Sequence, residues 1–454
     1  MSTHVFVGPT ITSARITSIL PGAVVHPPVQ HGDLLRLPLK AGDRVLIIDR
    51  LWHQSAPVRH KEILMLLARG VAVYGASSMG ALRAAELAPY GMIGLGRIYR
   101  ALRSGLMDDD DVAVLQEPDG RPLTQALVNL RAAFERAAVA NRITGSEAQA
   151  LTETARRLPS TQRTRTALGR LMAEDGVGDV YTTADIWGCG TPYDLKREDA
   201  ETALRVLAKD HSTAAEAPTP GWVEEPWQTS FVRYWSAAFA PAADSGLPFL
   251  PLLQHQQLYD PAFSRRWRTH VLSRLLAPGG QRPVHKGAVE DFAARRGLAL
   301  ADLTAQQLSY WLTAYEQVHV DSGEQLILLM VRSARLDDAW PVYPVSRAES
   351  GPLFNAELPT EDHVLHALRV NASALAENPG HTTAHLAADR IAAHLLSHWG
   401  LTADAGADER DAAARDRGLR SFTAAVEIDR AFYLDALTSV SSATSTGARA
   451  SART

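Results

Sequence analysis

The strongest constraint on the fold is an alternation that runs from the start of the chain to about residue 115. Short β-branched runs are separated by helix-patterned stretches, the signature of parallel βαβ units. Strands are predicted at His4 to Val7, Ala23 to Val25, Arg44 to Ile48 and Val71 to Tyr74. Between the last two, Pro57 to Gly70 reads as a helix, with proline suited to its first turn and glycine to the position past its end. The fourth strand runs through Tyr74-Gly75-Ala76-Ser77-Ser78-Met79-Gly80 into another helix. That turn puts serine hydroxyls and backbone N–H groups at the positive end of a helix, which favours both a nucleophile and an oxyanion.

After Leu115 the composition turns to Ala, Leu, Arg and Glu with helical periodicity. The expected architecture is therefore α/β: an N-terminal parallel-sheet, Rossmann-like core followed by a large, mainly α-helical C-terminal region. The expected boundaries are a core domain over 1–145, a helical middle section over 146–215, a helical C-terminal domain over 216–437 and a disordered tail over 438–454. Loops rich in Gly, Thr and Pro are expected at Gly176 to Tyr193 and Ala214 to Pro226. Trp227, Phe231, Tyr234, Trp235 and Phe239 recur mostly at spacings of three and four and are expected to face a core.

Charge and cysteine usage exclude several classes. With 46 basic and 50 acidic residues the net charge is −4, which supplies no surface for nucleic acid. Cys189 is the only cysteine, so no internal disulfide framework or CxxC site exists, and a packing role in a reducing cytoplasm is expected. No basic segment followed by an apolar one opens the chain, and no apolar run reaches the roughly 18 residues of a membrane span, so a soluble cytoplasmic protein is expected, without a membrane partner.

In a parallel sheet, ligands collect at the carboxyl ends of the strands. This places Gly8, Pro9 and Thr10 after the first strand, Asp49 after the third, His60 and Lys61 in a first helical turn, and Gly75 to Gly80 after the fourth at one edge. Lys61 and Ser78 then become spatial neighbours. A lysine amine near a helix N-terminus is disfavoured as a cation and can serve as a base toward serine. Lysine is scarce, being confined to Lys40, Lys61, Lys196, Lys209 and Lys286, and arginine cannot take this role. The plain alternatives are a surface lysine at 61 and a helix N-cap at 78. Ser77 is the competing nucleophile. Ser78 is preferred because Gly80, two residues on, lacks a side chain that would block a substrate carbonyl, and the N–H groups of Met79 and Gly80 are the expected oxyanion donors. Arg83 and Glu86 are spaced to pair on the following helix. Asp49 is read as a turn or cap residue that also stands within reach of Lys61 or a substrate amide.

The segments HVFVGPT, RVLIIDR, VRHKEILMLLARGVAVYGASSMGALRAAEL and GMIGLGRIYRALRSGLMDDDDVAV, in that order, resemble the TfuA-like family over about residues 4 to 130. That resemblance implies a Ser-Lys hydrolase site acting on a thiocarboxylated sulfur-carrier protein of the ThiS type. It further implies delivery of sulfide to a YcaO partner that modifies a precursor peptide. By motif the serine is Ser78 and the lysine Lys61. No cofactor is implied for this chain, since ATP and Mg belong to the YcaO partner. Two other readings stand beside it: a non-catalytic scaffold for cyclase, carrier and peptide, and a Ser-Lys esterase or peptidase outside sulfur metabolism.

Two further patterns are weighed against metal. Asp108 to Asp111 form a charge run, expected as a solvated loop, a partner contact or a wall of the site. His381/His385 and His394/His398 have i, i+4 spacing, but on one straight helix the pairs point about 140° apart and no HExxH glutamate accompanies them. No metal site is expected.

Overall fold

The computed structural model describes residues 2–49, 56–117, 121–188, 193–209, 229–241, 246–276, 286–333 and 353–437. Cys189, Trp227, the loop expected at 214–226 and the tail expected at 438–454 lie outside them. The chain divides into two units, Met1–Gln228 and Thr229–Thr454. The boundary expected at residue 145 falls inside the first.

The first unit runs β1 (Thr3–Phe6), α1 (Ser13–Ile19), β2 (Val24–His26), α2 (Asp33–Arg36), β3 (Arg44–Ile47), α3 (His60–Ala68), β4 (Ala72–Ala76), α4 (Met79–Leu87), β5 (Ile93–Leu95), α5 (Gly96–Arg103) and α6 (Asp109–Val112), then α7 (Leu127–Val139), α8 (Gly145–Arg156), α9 (Arg165–Glu174), α10 (Gly178–Ala184) and α11 (Leu195–Lys209). All five strands are parallel, in the order β2-β1-β3-β4-β5. The strand order reverses between β1 and β3, the point at which such sheets open a crevice at their carboxyl edge.

Four strands stand where the alternation predicts them. The fifth, β5, was not anticipated: it has three residues, one of them Gly94, whose missing side chain leaves room for the Tyr99 ring. In α3 the helix begins at His60 and not at Pro57. The Glu62 side chain accepts from the Arg59 N–H at 2.9 Å, and Gly70 leaves the helix at φ +77°.

Strand residues alternate between two cores. Phe6, Val45, Ile47 and Val73 pack on Ile63, Leu66 and Leu67 of α3 and Ala84 and Leu87 of α4. Val5, Leu46, Ile48, Tyr74 and Ala76 pack on Ile16 of α1 and on Ala200, Ala203, Leu204 and Leu207 of α11. Thus α11, from the section expected to be a separate helical part, is a layer of the α/β core. Leu204→Ala is expected to cost the first unit about 2–5 kcal/mol, as buried leucine truncations do, read by urea unfolding. Wild-type stability would mean that α11 does not cover the sheet.

Among the described residues of the second unit the regular elements are all helices, apart from one isolated bridge, Pro241 to Pro248. One core gathers Leu252, Leu258, Val364, Ile391, Leu395, Phe422 and Val426, and another Phe249, Phe263, Trp267, Val271 and Met330. The aromatic stripe corrects an expectation. Phe231 and Tyr234 are exposed, and the residues that helix Ser230–Phe239 buries are Val232 and Ala237. The face that this helix buries is narrower than the aromatic spacing of three and four implies.

Two buried titratable groups in this unit pull in opposite directions. Burial pushes Asp429, which accepts from the Tyr259 hydroxyl at 2.5 Å, up to about 7, and lowers His255 to about 4. A carboxyl raised on folding contributes stability that is lost as pH climbs toward 7, whereas the lowered imidazole loses stability as pH falls from about 6.5 to 4. The slopes oppose each other. Asp429→Asn is therefore expected to leave unfolding free energy rising by a few kcal/mol between about pH 4 and 7 relative to the parent, and His255→Gln the reverse. Parallel pH profiles for parent and both variants would refute this assignment.

Candidate active site at the carboxyl edge of the sheet

The turn after β4 is the most unusual piece of backbone in the first unit. Ser77 takes φ +69°, which L-residues rarely adopt, is fully buried, and its hydroxyl has no partner among the described residues. Ser78 follows at φ −104°, ψ −120° as the residue before α4, and its side chain makes no cap hydrogen bond. An N-cap serine normally has extended ψ, which aims its oxygen back at the third helical N–H. The plain capping expectation for Ser78 is thus corrected by its backbone angles. The N–H of Met79 has no carbonyl partner among the described residues.

Gly80 does not play its expected part. Its N–H donates to the Ile48 carbonyl at 3.2 Å, and a Cβ there would stand 1.8 Å from the Ile47 oxygen. The missing side chain lets α4 lie against β3 and does not open a path for substrate. Gly75 serves the same contact from the other strand, since its Cβ would meet the Gly80 carbonyl at 2.0 Å. Of the two N–H groups expected to face an oxyanion, the Gly80 donor is therefore already committed to the sheet.

Asp49 closes the end of β3. Its carboxylate accepts from the Gly8 N–H at 3.0 Å, the Thr10 N–H at 3.1 Å and the Thr10 hydroxyl at 2.7 Å, holding the loop after β1, while Pro9 is exposed. This is the turn role read for it. The register of β3 and β4 ends with Ile47 opposite Gly75, so Asp49 and Ser77 each lie two residues past the last pair, at the same edge of the sheet.

Lys61 stands half-buried in the first turn of α3. Its neighbours point elsewhere. Glu62, fully buried, accepts from the Gly32 N–H at 2.8 Å and bonds His31 Nδ1 at 2.6 Å. His60 bonds Glu86 at 2.9 Å and Arg83 at 3.1 Å, and the expected Arg83–Glu86 pair forms with it a three-residue cluster. The start of α3 thus meets α4 five to eight residues beyond Ser78, about 8–12 Å along its axis.

A second lysine stands at the same edge of the sheet. Lys196 lies in the first turn of α11, 6% exposed, and its Nζ donates to the Val112 carbonyl at 3.3 Å. Burial lowers this amine from its ordinary value, against the opposing pull of the Asp49 and Asp194 carboxylates. Ala81 of α4, Val112 and Leu195 share one core, so this turn of α11 borders the start of α4. The scarcity of lysine flagged Lys196 in the sequence. Nothing local placed it at the rim, because the fold brings it there across the whole of α5 to α10.

The acidic run is divided: Asp108 and Asp109 are exposed, as expected of a solvated segment, whereas Asp110 and Asp111 are engaged by the fold. Asp108 accepts from the Asp110 N–H and opens α6, Asp111 is buried and pairs with Arg156 at 3.1 Å, and Asp110 pairs with Arg163, whose guanidinium is fully buried. Arg163 and the Ser160 N–H hold the Asp110 carboxyl below its ordinary range despite its partial burial. The histidine pairs also differ from one another. His381 precedes a short 3-10 turn, Thr383–His385, whereas His394 and His398 share a helix with stacked rings 6.2 Å apart. Among the described residues no group of three or more His, Cys, Asp or Glu is arranged to hold a metal ion, and no helix is long and apolar enough to cross a membrane.

Residues 49–164 match the model of a protein family described as TfuA-like protein. The matched span opens at Asp49 and contains Lys61, both serines and the acidic run, and ends before α11. No curated protein matches the chain.

Proposed function

We propose, from the premise that the first unit carries a TfuA-like domain, that this protein hydrolyses a thiocarboxylated sulfur-carrier protein and hands the sulfide to a YcaO partner that thioamidates a precursor peptide. The domain links the chain to YcaO-dependent thioamidation systems at the level of family. The finer reading is supported by one observation above the rest: the Ser78 hydroxyl is left uncommitted by the helix it opens, next to a Met79 N–H that no carbonyl takes.

The chemistry follows from those groups. A lysine amine at the rim, Lys61 or Lys196, takes the Ser78 proton, and the oxygen attacks the thioacid carbonyl carbon. Charge that develops on the carbonyl oxygen meets the Met79 N–H and the positive end of α4. The C–S bond breaks, hydrosulfide departs, and water then cleaves the serine ester and restores the hydroxyl. Thiocarboxylate plus water gives carboxylate plus hydrogen sulfide. Hydrosulfide leaves more readily than an amine, so moderate activation of the serine suffices.

Burial of both serines favours a second reading, a non-catalytic scaffold that presents carrier and peptide to the cyclase. The two separate cleanly. Purified protein mixed with a thiocarboxylated carrier, without cyclase, is expected to release sulfide. Stimulation of thioamidation by the protein with no sulfide released in the cyclase-free reaction would leave the scaffold.

A further inference from the structure

We propose that Lys196, and not Lys61, is the amine that takes the proton from the serine at this rim. The inference deepens the hydrolase reading and rests on its serine, though not on its substrate. Three placements carry it. The α11 layer runs from the carboxyl edge, where Asp199 accepts from the Arg97 and Ile98 N–H groups at the start of α5, back to the opposite edge, where the Leu207 carbonyl accepts from Arg44. Its first turn, with Lys196, is therefore at the edge that carries the serines. Asp49, whose charge reaches the Lys196 amine, follows directly on Ile48, whose carbonyl holds Gly80 of α4 two residues after Ser78. The amine is enclosed, with the Val112 carbonyl as acceptor, while the start of α3 is tied through His60 to the middle of α4.

The environment also fits the task. An amine becomes a base only when it gives up its proton at working pH, which desolvation and a helix N-terminus both promote. Lys196 has both, because it is buried in the first turn of α11. The groups facing it are the Asp49 and Asp194 carboxylates, which retain part of its basicity, and the neutral Asn129, which accepts from its backbone N–H at 3.1 Å. In the first step the Lys196 nitrogen lone pair takes the serine proton, the oxygen bonds to the acyl carbon, and the resulting ammonium returns its proton to the departing sulfur.

The test uses the full chain and a fluorophosphonate probe, which bonds to an activated serine whatever its natural substrate, with the labelled residue identified by mass spectrometry. Lys196→Met and Lys196→Arg, both checked for folding by circular dichroism and melting, are expected to slow labelling by at least about a hundredfold, the usual loss when a general base is removed. Arginine keeps the positive charge beside Asp49 but cannot act as a base, so it separates proton transfer from a structural role. Lys61→Ala is the direct comparison, since the two lysines compete for the same role. The parent is expected to label at a rate that rises with pH to a plateau below the range of an ordinary lysine. Parental labelling in folded Lys196→Arg or Lys196→Met, loss of labelling in Lys61→Ala, or no labelling of the parent would each overturn the proposal. A labelled serine with no sulfide released from a thiocarboxylated carrier would instead remove the thioacid reading and leave Lys196 as the base.

Discussion

Ser78→Ala is expected to lower sulfide release from a thiocarboxylated carrier by about a thousandfold or more while leaving the unfolding free energy unchanged. Both halves of that expectation come from the backbone angles. Serine at a helix N-terminus ordinarily caps, and truncating a capping serine costs about 0.5–2 kcal/mol. Here the side chain makes no cap bond, so no such loss should follow. A nucleophile that is not a cap gives dead, stable protein, and a cap that is not a nucleophile gives active, weakened protein. Ser77→Gly is the control, because glycine accepts φ +69° without strain and removes the competing hydroxyl. It should release sulfide and melt no lower than the parent. Should Ser77→Gly abolish release while Ser78→Ala preserves it, the roles of the two serines are exchanged.

Gly80→Ala is expected to be the most damaging single methyl in the first unit, destabilising by more than about 4 kcal/mol. The added carbon would fall 1.8 Å from the Ile47 oxygen and 2.6 Å from its carbonyl carbon, backbone inside a parallel ladder that no rotamer change can move. Relief requires α4 to lift from β3, which also breaks the bond from the Gly80 N–H to Ile48 and swings Ser78 and Met79 off the rim. Activity and stability should therefore fall together, in contrast to Ser78→Ala. Gly145→Ala, where nothing lies within 4 Å, is the matched control and should be neutral. A well-folded Gly80→Ala would mean that α4 does not lie this close to the sheet.

These outcomes bear on how far residues alone reveal such a site. Strands β1 to β4 were legible because buried parallel strands are short β-branched runs between helical stretches. The fifth was not, since Ile93-Gly94-Leu95 is too short to show a period. The rim positions Gly8, Thr10 and Asp49 followed from topology alone, and hydrogen bonds join them. Gly80 was correctly singled out, but a glycine that admits a ligand and one that admits a neighbouring strand look identical in one dimension. Asp110 and Asp111 looked as solvated as Asp108 and Asp109 because their partners, Arg163 and Arg156, are remote in the chain. Lys196 escaped for the same reason, since its meaning depends on tertiary burial.

The α11 layer has a consequence for how the family segment is defined. Residues 49–164 end upstream of α11, and they also begin after β1, β2 and β3, so the matched stretch holds two of the five strands and lacks the helix that covers one face of the sheet. Excised on its own it would expose Tyr74 and Ala76 to water. Chain recombination between relatives at the edges of that stretch would likewise separate the serines from Lys196. What sequence comparison treats as an independent module is, physically, the interior portion of a larger cooperative body.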